Sequence, residues 1–168
     1  MKKGFTMIEL IFVIVISGIL ASIAISSLAS TREDAEISAT VANLRTLVND
    51  INSYYRAKGE FGTATKWNEI TNVPLNGATS AAVGDKLATA HLKAGKEDCI
   101  GVYLLNKDEN RPALITFTPK EEATGACGQV IEAEPVKAYV NSSLNLTSDG
   151  KQITIQNVIA IGSTTSVY

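Results

Sequence analysis

A single carboxylate, Glu9, stands at the head of an apolar run that then carries no charge until Arg32. Residues 10–31 are therefore a neutral stretch long enough to cross a bilayer as a helix. An ionised group inside such a segment costs roughly 2.5–3.5 kcal/mol on insertion scales, so Glu9 asks for a partner and a purpose. Leu10, Ile11, Phe12, Ile14, Ile19 and Leu28 surround the helix axis without leaving a polar face. A helix that is apolar all round is buried in lipid or in protein. Out of lipid, each large side chain left in water would cost roughly 1.5–3 kcal/mol, so the helix has to pack on copies of itself. Ser17, Gly18, Ala21, Ser22 and Ala24 permit the close helix approach this needs.

On residue chemistry alone two readings stay open. A secretory signal has a basic n-region, a short apolar core and a small-residue cleavage site. Lys2 and Lys3 with Ser22-Ile23-Ala24 fit that outline, but the run is long for it and Glu9 is out of place. A plain membrane anchor fits the length and leaves Glu9 without a role.

Lys3-Gly-Phe-Thr-Met-Ile-Glu-Leu10 resembles the processing signature of type IV prepilins and of the related pseudopilins of type II secretion. The resemblance covers about the first 30 residues. It implies cleavage of a leader, residues 1–4, after Gly4 by a prepilin peptidase. It further implies N-methylation of the new terminus at Phe5, and a role in assembly for Glu9. The chemistry is consistent with those roles. A glycine before the cut lets extended backbone enter a protease cleft without a side chain. Cleavage leaves a cationic amine at Phe5, four residues from Glu9, and the pair sets register as a subunit docks. The family also implies an inner-membrane platform protein and an assembly ATPase as partners, and polymerisation with other copies of the chain. Many type IV pilins place a proline where Ser26 stands here, so a straighter helix is expected.

Charge and cysteine usage narrow the class further. Loss of Lys2 and Lys3 lowers the basic residues from 15 to 13 against 17 acids, so the processed chain has a formal charge of −4. That argues against a general nucleic-acid-binding surface. Two lysines before the span and a mostly acidic stretch after it place the N-terminus in the cytoplasm and the rest outside the inner membrane. Cys99 and Cys127 in an exported domain read as a disulfide, because structural zinc needs four ligands and His91 is the only histidine. Unpaired buried thiols are the other reading. The resemblance also implies a disulfide in the carboxyl half, as many type IV pilins have one and major pseudopilins commonly lack it.

The fold class expected is α+β, with a long N-terminal helix packed on a small antiparallel sheet, as in pilins. Residues 5–31 form its membrane-spanning or filament-core half. Residues 32–58 continue it as an amphipathic helix, because Ile37, Val41, Leu44, Val48, Ile51 and Tyr55 recur at spacings of four and three. Gly59 is its expected cap. Residues 59–168 are the expected globular domain. In it, 60–98 read as a long connection with short helices at 65–70 and 84–94, anchored on the stem helix by Trp67 and by Tyr54 or Tyr55. His91 reads there as solvent-facing or capped. Residues 100–105 and 113–117 read as a hairpin. Residues 130–140 read as a short helix broken near Pro135, or an edge strand, and 153–155 with 158–161 as the last strand or strands. Ser148-Asp-Gly150 reads as a turn. Asp149 resembles part of the calcium loop of major pseudopilins, but an aspartate beside glycine is an ordinary turn residue and a calcium site needs six or more oxygens.

No nucleophile motif, Walker loop or dinucleotide fingerprint appears, so neither an enzyme nor a cofactor is expected. The functional reading is a structural subunit of a type IV pilus or pilus-like filament. A pseudopilin of type II secretion is the first alternative, and a monomeric membrane-anchored periplasmic binding domain the second.

Overall fold

The computed structural model describes residues 4–62, 66–79, 87–109, 111–148 and 151–161. The chain divides into two compact units, residues 1–35 and 36–168. Together they give an α+β, pilin-like architecture, a long N-terminal helix followed by a small antiparallel sheet.

Helix α1 runs without interruption over Met7–Lys58, through Ser26 as well as Gly18. In the first unit its large apolar side chains are all exposed, from Phe5 through Leu28. It is the one helix among the described residues long and apolar enough to cross a membrane, with a mean hydropathy of 2.7 over its most apolar window.

In the second unit the same helix turns amphipathic. Leu44, Leu47 and Ile51 are fully buried and Val48 nearly so, flanked by half-buried Ile37 and Val41. Leu47 broadens the stripe beyond the residues picked out by spacing. The Thr40 hydroxyl is also buried there, donating either to the Glu36 carbonyl or to that of Lys93, each 2.9 Å away. The helix ends at Gly59, whose φ of 82° suits a left-handed cap and whose N–H bonds the Tyr55 carbonyl at 2.7 Å.

Four strands, β1 (Leu87–Ala94), β2 (Glu97–Leu105), β3 (Leu114–Pro119) and a short last strand, β6 (Val158–Ala160), pair antiparallel in that order. A separate two-stranded sheet is made by β4 (Ser143–Ser148) and β5 (Lys151–Gln156). The register places Ala90 and Leu92 beside Ile100 and Val102, and these beside Phe117, on one face of the four-stranded sheet. That face holds the core with the α1 stripe. Helices α3 (Gly125–Glu132) and α4 (Glu134–Val140) complete the cover with buried Val130, Val136 and Val140. Cys99 and Cys127, each 1% exposed, are joined by a disulfide that ties β2 to α3.

Several expectations are corrected. The segment read as a helix over 84–94 is strand β1 from Leu87 onward, and 84–86 lie outside the described residues. Its alanines and leucines have high helix propensity, but Ala90, Leu92 and Ala94 alternate with outward Thr89, His91 and Lys93. Pairing with β2 decides the conformation, because tertiary context overrides propensity. His91 points outward from β1 and is half-buried, and its Nδ1 has no hydrogen-bond partner among the described residues. Residues 130–140 are helical with a break at Ala133, in line with the expected break near Pro135, which stands at the start of α4, where its missing N–H costs nothing. Strand β4 was not anticipated at all, and residues 153–155 and 158–161 fall in different sheets. The 65–70 helix is confined to α2 (Trp67–Ile70), with Thr65 outside the described residues, as are Asp149 and Gly150.

Trp67 is buried and donates its indole N–H to the Thr89 carbonyl at 3.1 Å, so its anchor is strand β1. Phe61 holds the chain to the stem helix, with its ring 5.0 Å from that of Tyr55 and 6.3 Å from that of Tyr54. The Asn106 side chain bonds both the N–H and the carbonyl of Phe61 at 2.7 Å, fixing that aromatic in place.

Candidate functional site

The chemistry-bearing segment of the sequence is the start of α1. Thr6 precedes the first helical residue, Met7, and Glu9 is the third residue of the helix. The first few N–H groups of a helix have no intrahelical acceptor. Glu9 turns back to supply one: its Oε2 accepts the Thr6 backbone N–H at 2.8 Å and the Thr6 hydroxyl at 2.8 Å. The Thr6 Oγ1 lies 3.3 Å from the Glu9 N–H, which donates to it. This is a capping box, in which threonine and glutamate satisfy each other's backbone donors. The first turn is closed by the Leu10 N–H on the Thr6 carbonyl at 3.3 Å.

In the sequence Glu9 stands out as a charge at the head of an apolar run, and Thr6 does not. The signal was present, since threonine followed three residues later by glutamate before an apolar run is a helix-start signature. Both bonds fall on Oε2, and a carboxylate has lone pairs on its second oxygen for further donors.

Gly4 lies two residues upstream in non-helical backbone. A Cβ built on it would meet nothing within 4 Å, and its φ is outside the left-handed region. Neither packing nor backbone conformation in this structure requires glycine there. Phe5 is 88% exposed, so its backbone is not protected by a packed side chain.

Elsewhere the described residues offer little reactive chemistry. An open hollow of about 710 Å³ lies where His91, Gly101, Tyr103 and Thr118 line the sheet face opposite the core. The His91 ring lies over Gly101, where an added Cβ would come within 3.4 Å of it. Glu97 beside the hollow is paired with Lys120 at 2.6 Å, and Asp98 accepts both its bonds from the Asn76 amide. No group of three or more histidine, cysteine, aspartate or glutamate side chains is placed to hold a metal among the described residues. Lys137 sits on α4 between two carboxylates; its hydrogen bond and charge pairing with Glu132 raise its pKa, helped by Glu134.

A cap built from Thr6 and Glu9 thus stands at the head of a membrane-length apolar helix, two residues after an unconstrained glycine. The family model described as a prokaryotic N-terminal methylation motif matches residues 1–25, and that motif is the signature of type IV pilins and pseudopilins. No curated protein and no solved structure matches the chain.

Proposed function

We propose that this chain is a structural subunit of a type IV pilus or pilus-like filament, cleaved after Gly4, N-methylated at Phe5 and polymerised through α1. The observation that carries the reading is the methylation motif with its glutamate at the head of a membrane-length helix. Before assembly the helix lies in the inner membrane with the N-terminus cytoplasmic. The Thr6–Glu9 box spares the bilayer an unsatisfied Thr6 N–H, a group that costs several kcal/mol in hydrocarbon.

Cleavage turns the Phe5 nitrogen into a cationic amine beside this box. Glu9 can then hold Thr6 through Oε2 and receive an amine from its own or a neighbouring subunit on Oε1. Desolvation strengthens that pairing, so docking is favoured in one register. Prepilin peptidase, platform protein and assembly ATPase supply the processing and the work of extraction. The reading assigns the chain no catalysis and no cofactor, and 5–31, 32–58 and 59–168 act as filament core, stem and surface domain.

A pseudopilin of type II secretion shares the same N-terminal chemistry. The Cys99–Cys127 bond in the carboxyl half favours the pilus side of that choice. The decisive experiment is the intact mass of the chain from a sheared cell-surface fraction. Phe5 to Tyr168 plus one methyl group and minus two hydrogens is the expected species. The same species confined to the membrane fraction favours the pseudopilin. A chain that keeps residues 1–4, or begins in the mid-twenties, ends the filament reading in favour of an ordinary anchored or exported domain.

A further inference from the structure

We infer that the apolar face of the β4–β5 hairpin docks on a neighbouring copy of this chain within the filament, an inference that rests on the filament reading above. The register sets Leu144 opposite Ile155 and Leu146 opposite Ile153, so four aliphatic side chains share one face of the two-stranded sheet. The other face is uncharged and polar, with the Thr154 hydroxyl donating to the Asn145 side chain at 2.7 Å. None of the four aliphatics belongs to the core cluster. Ile153 is 48% exposed, and among the described residues it is the one exposed large hydrophobic outside the apolar stem.

The hairpin is held in place at its base. Asn157, at a φ of 59°, joins β5 to β6; its N–H bonds the Ser142 carbonyl at 2.6 Å, and its own carbonyl accepts the Phe117 N–H at 2.8 Å. The aliphatic face, exposed at Ile153 and half-buried at Leu144, Leu146 and Ile155, is thus carried on a tied support. A two-stranded sheet is marginal by itself and gains from being covered.

Charge identifies the occupant. Asp149 and Lys151 are the only charged side chains between Asn141 and Tyr168, so the segment has no net side-chain charge, and Lys151, opposite Ser148, lies on the aliphatic face beside Ile153. The processed chain is acidic as a whole, with 13 basic residues against 17 acids once Lys2 and Lys3 are gone. Copies of an acidic domain repel, so the surface on which they approach most cheaply is neutral. The hairpin is such a surface, and it adds aliphatic burial to that of the stems. Four side chains fall well short of the roughly 800 Å² per partner of a stable free complex. Docking therefore forms only where the stems already hold copies together at high effective concentration.

The test uses the full chain in filament-producing cells, with a benzophenone amino acid at position 153 or at position 154 on the opposite face. Irradiation of sheared filaments is expected to give chain–chain adducts from 153 at least several-fold above 154, and none when Glu9→Ala blocks assembly. Adducts from 153 to residues 162–168 of the same chain, to a different protein, or no more abundant than those from 154 overturn the inference. Ile153→Asp gives the second readout: a several-fold lower yield of shear-resistant filaments, with normal membrane levels and an intact Cys99–Cys127 bond. An unchanged yield overturns it. If the unsubstituted chain makes no filament at all, the filament reading falls and takes this inference with it. If it makes filaments without 153 adducts, the docking inference falls alone.

Discussion

The hydroxyl and the backbone N–H of Thr6 both donate to one oxygen of Glu9, each across 2.8 Å. The glutamate that distinguishes this apolar segment is therefore engaged before any neighbour arrives, and Thr6 fixes where its carboxylate points.

Replacing Thr6 separates the two roles. Thr6→Ala or Thr6→Val removes the side-chain half of the box, and loss of such a cap costs about 0.5–2 kcal/mol. An effect of that size on docking is roughly a 2- to 30-fold drop in filament yield, with processing retained. Thr6→Ser keeps the hydroxyl and should stay near the unsubstituted level. Quantifying sheared and membrane-bound chain for the three variants checks this; equal yields for valine and serine would show that the hydroxyl has no part in assembly.

Gly4 is expected to matter for processing and for nothing else. Because an added Cβ meets only open space, Gly4→Ser should leave the globular unit's denaturation midpoint unchanged. The leader should nevertheless stay attached, and intact mass from the membrane fraction reads that directly. A processed Gly4→Ser chain contradicts the assignment of the cleavage site.

The disulfide carries a separable part of the stability. Cys99 and Cys127 are 28 residues apart and both buried. Closing a loop of that length stabilises by about 3–4 kcal/mol in the chain-entropy model. The Cys99→Ala, Cys127→Ala chain in detergent should unfold at a correspondingly lower denaturant concentration. Burial of both sulfurs also predicts that the native chain resists dithiothreitol until denaturant is added. A free-thiol assay with and without denaturant tests that protection.

Legibility in the sequence followed the range of the forces involved. The stem helix, its cap at Gly59 and the β2–β3 hairpin were readable because each is written in local periodicity or turn chemistry. Strand β1 was misread because Leu87–Ala94 is rich in good helix formers, and only pairing with β2 and Asn76 makes it extended. Strand β4 escaped because Ser143-Leu-Asn-Leu-Thr-Ser148 is polar on its outer face and short. At the candidate site, Glu9 was conspicuous as a charge among apolar residues. Thr6 was not, since its importance appears only when the helix start is placed.

Gly95 offers the sharpest test of the second unit's packing. It opens the two-residue turn between Ala94 and Glu97, which face each other across β1 and β2. Its φ is 63°, a left-handed value that costs a residue with a Cβ roughly 1–2 kcal/mol. A Cβ at that position would also stand 3.0 Å from the Glu36 Oε2, so the carboxylate on the stem helix must shift to admit it. Gly95→Ala is therefore expected to destabilise by at least about 1–2 kcal/mol. Gly95→Asn should cost less, because asparagine tolerates the left-handed region. Shortening the stem residue with Glu36→Ala should remove the steric part of the penalty and leave the backbone part, so the double variant loses less than the sum of the two single changes. Denaturation midpoints of the four chains in detergent decide it: strict additivity would mean that Glu36 and the turn do not touch in solution.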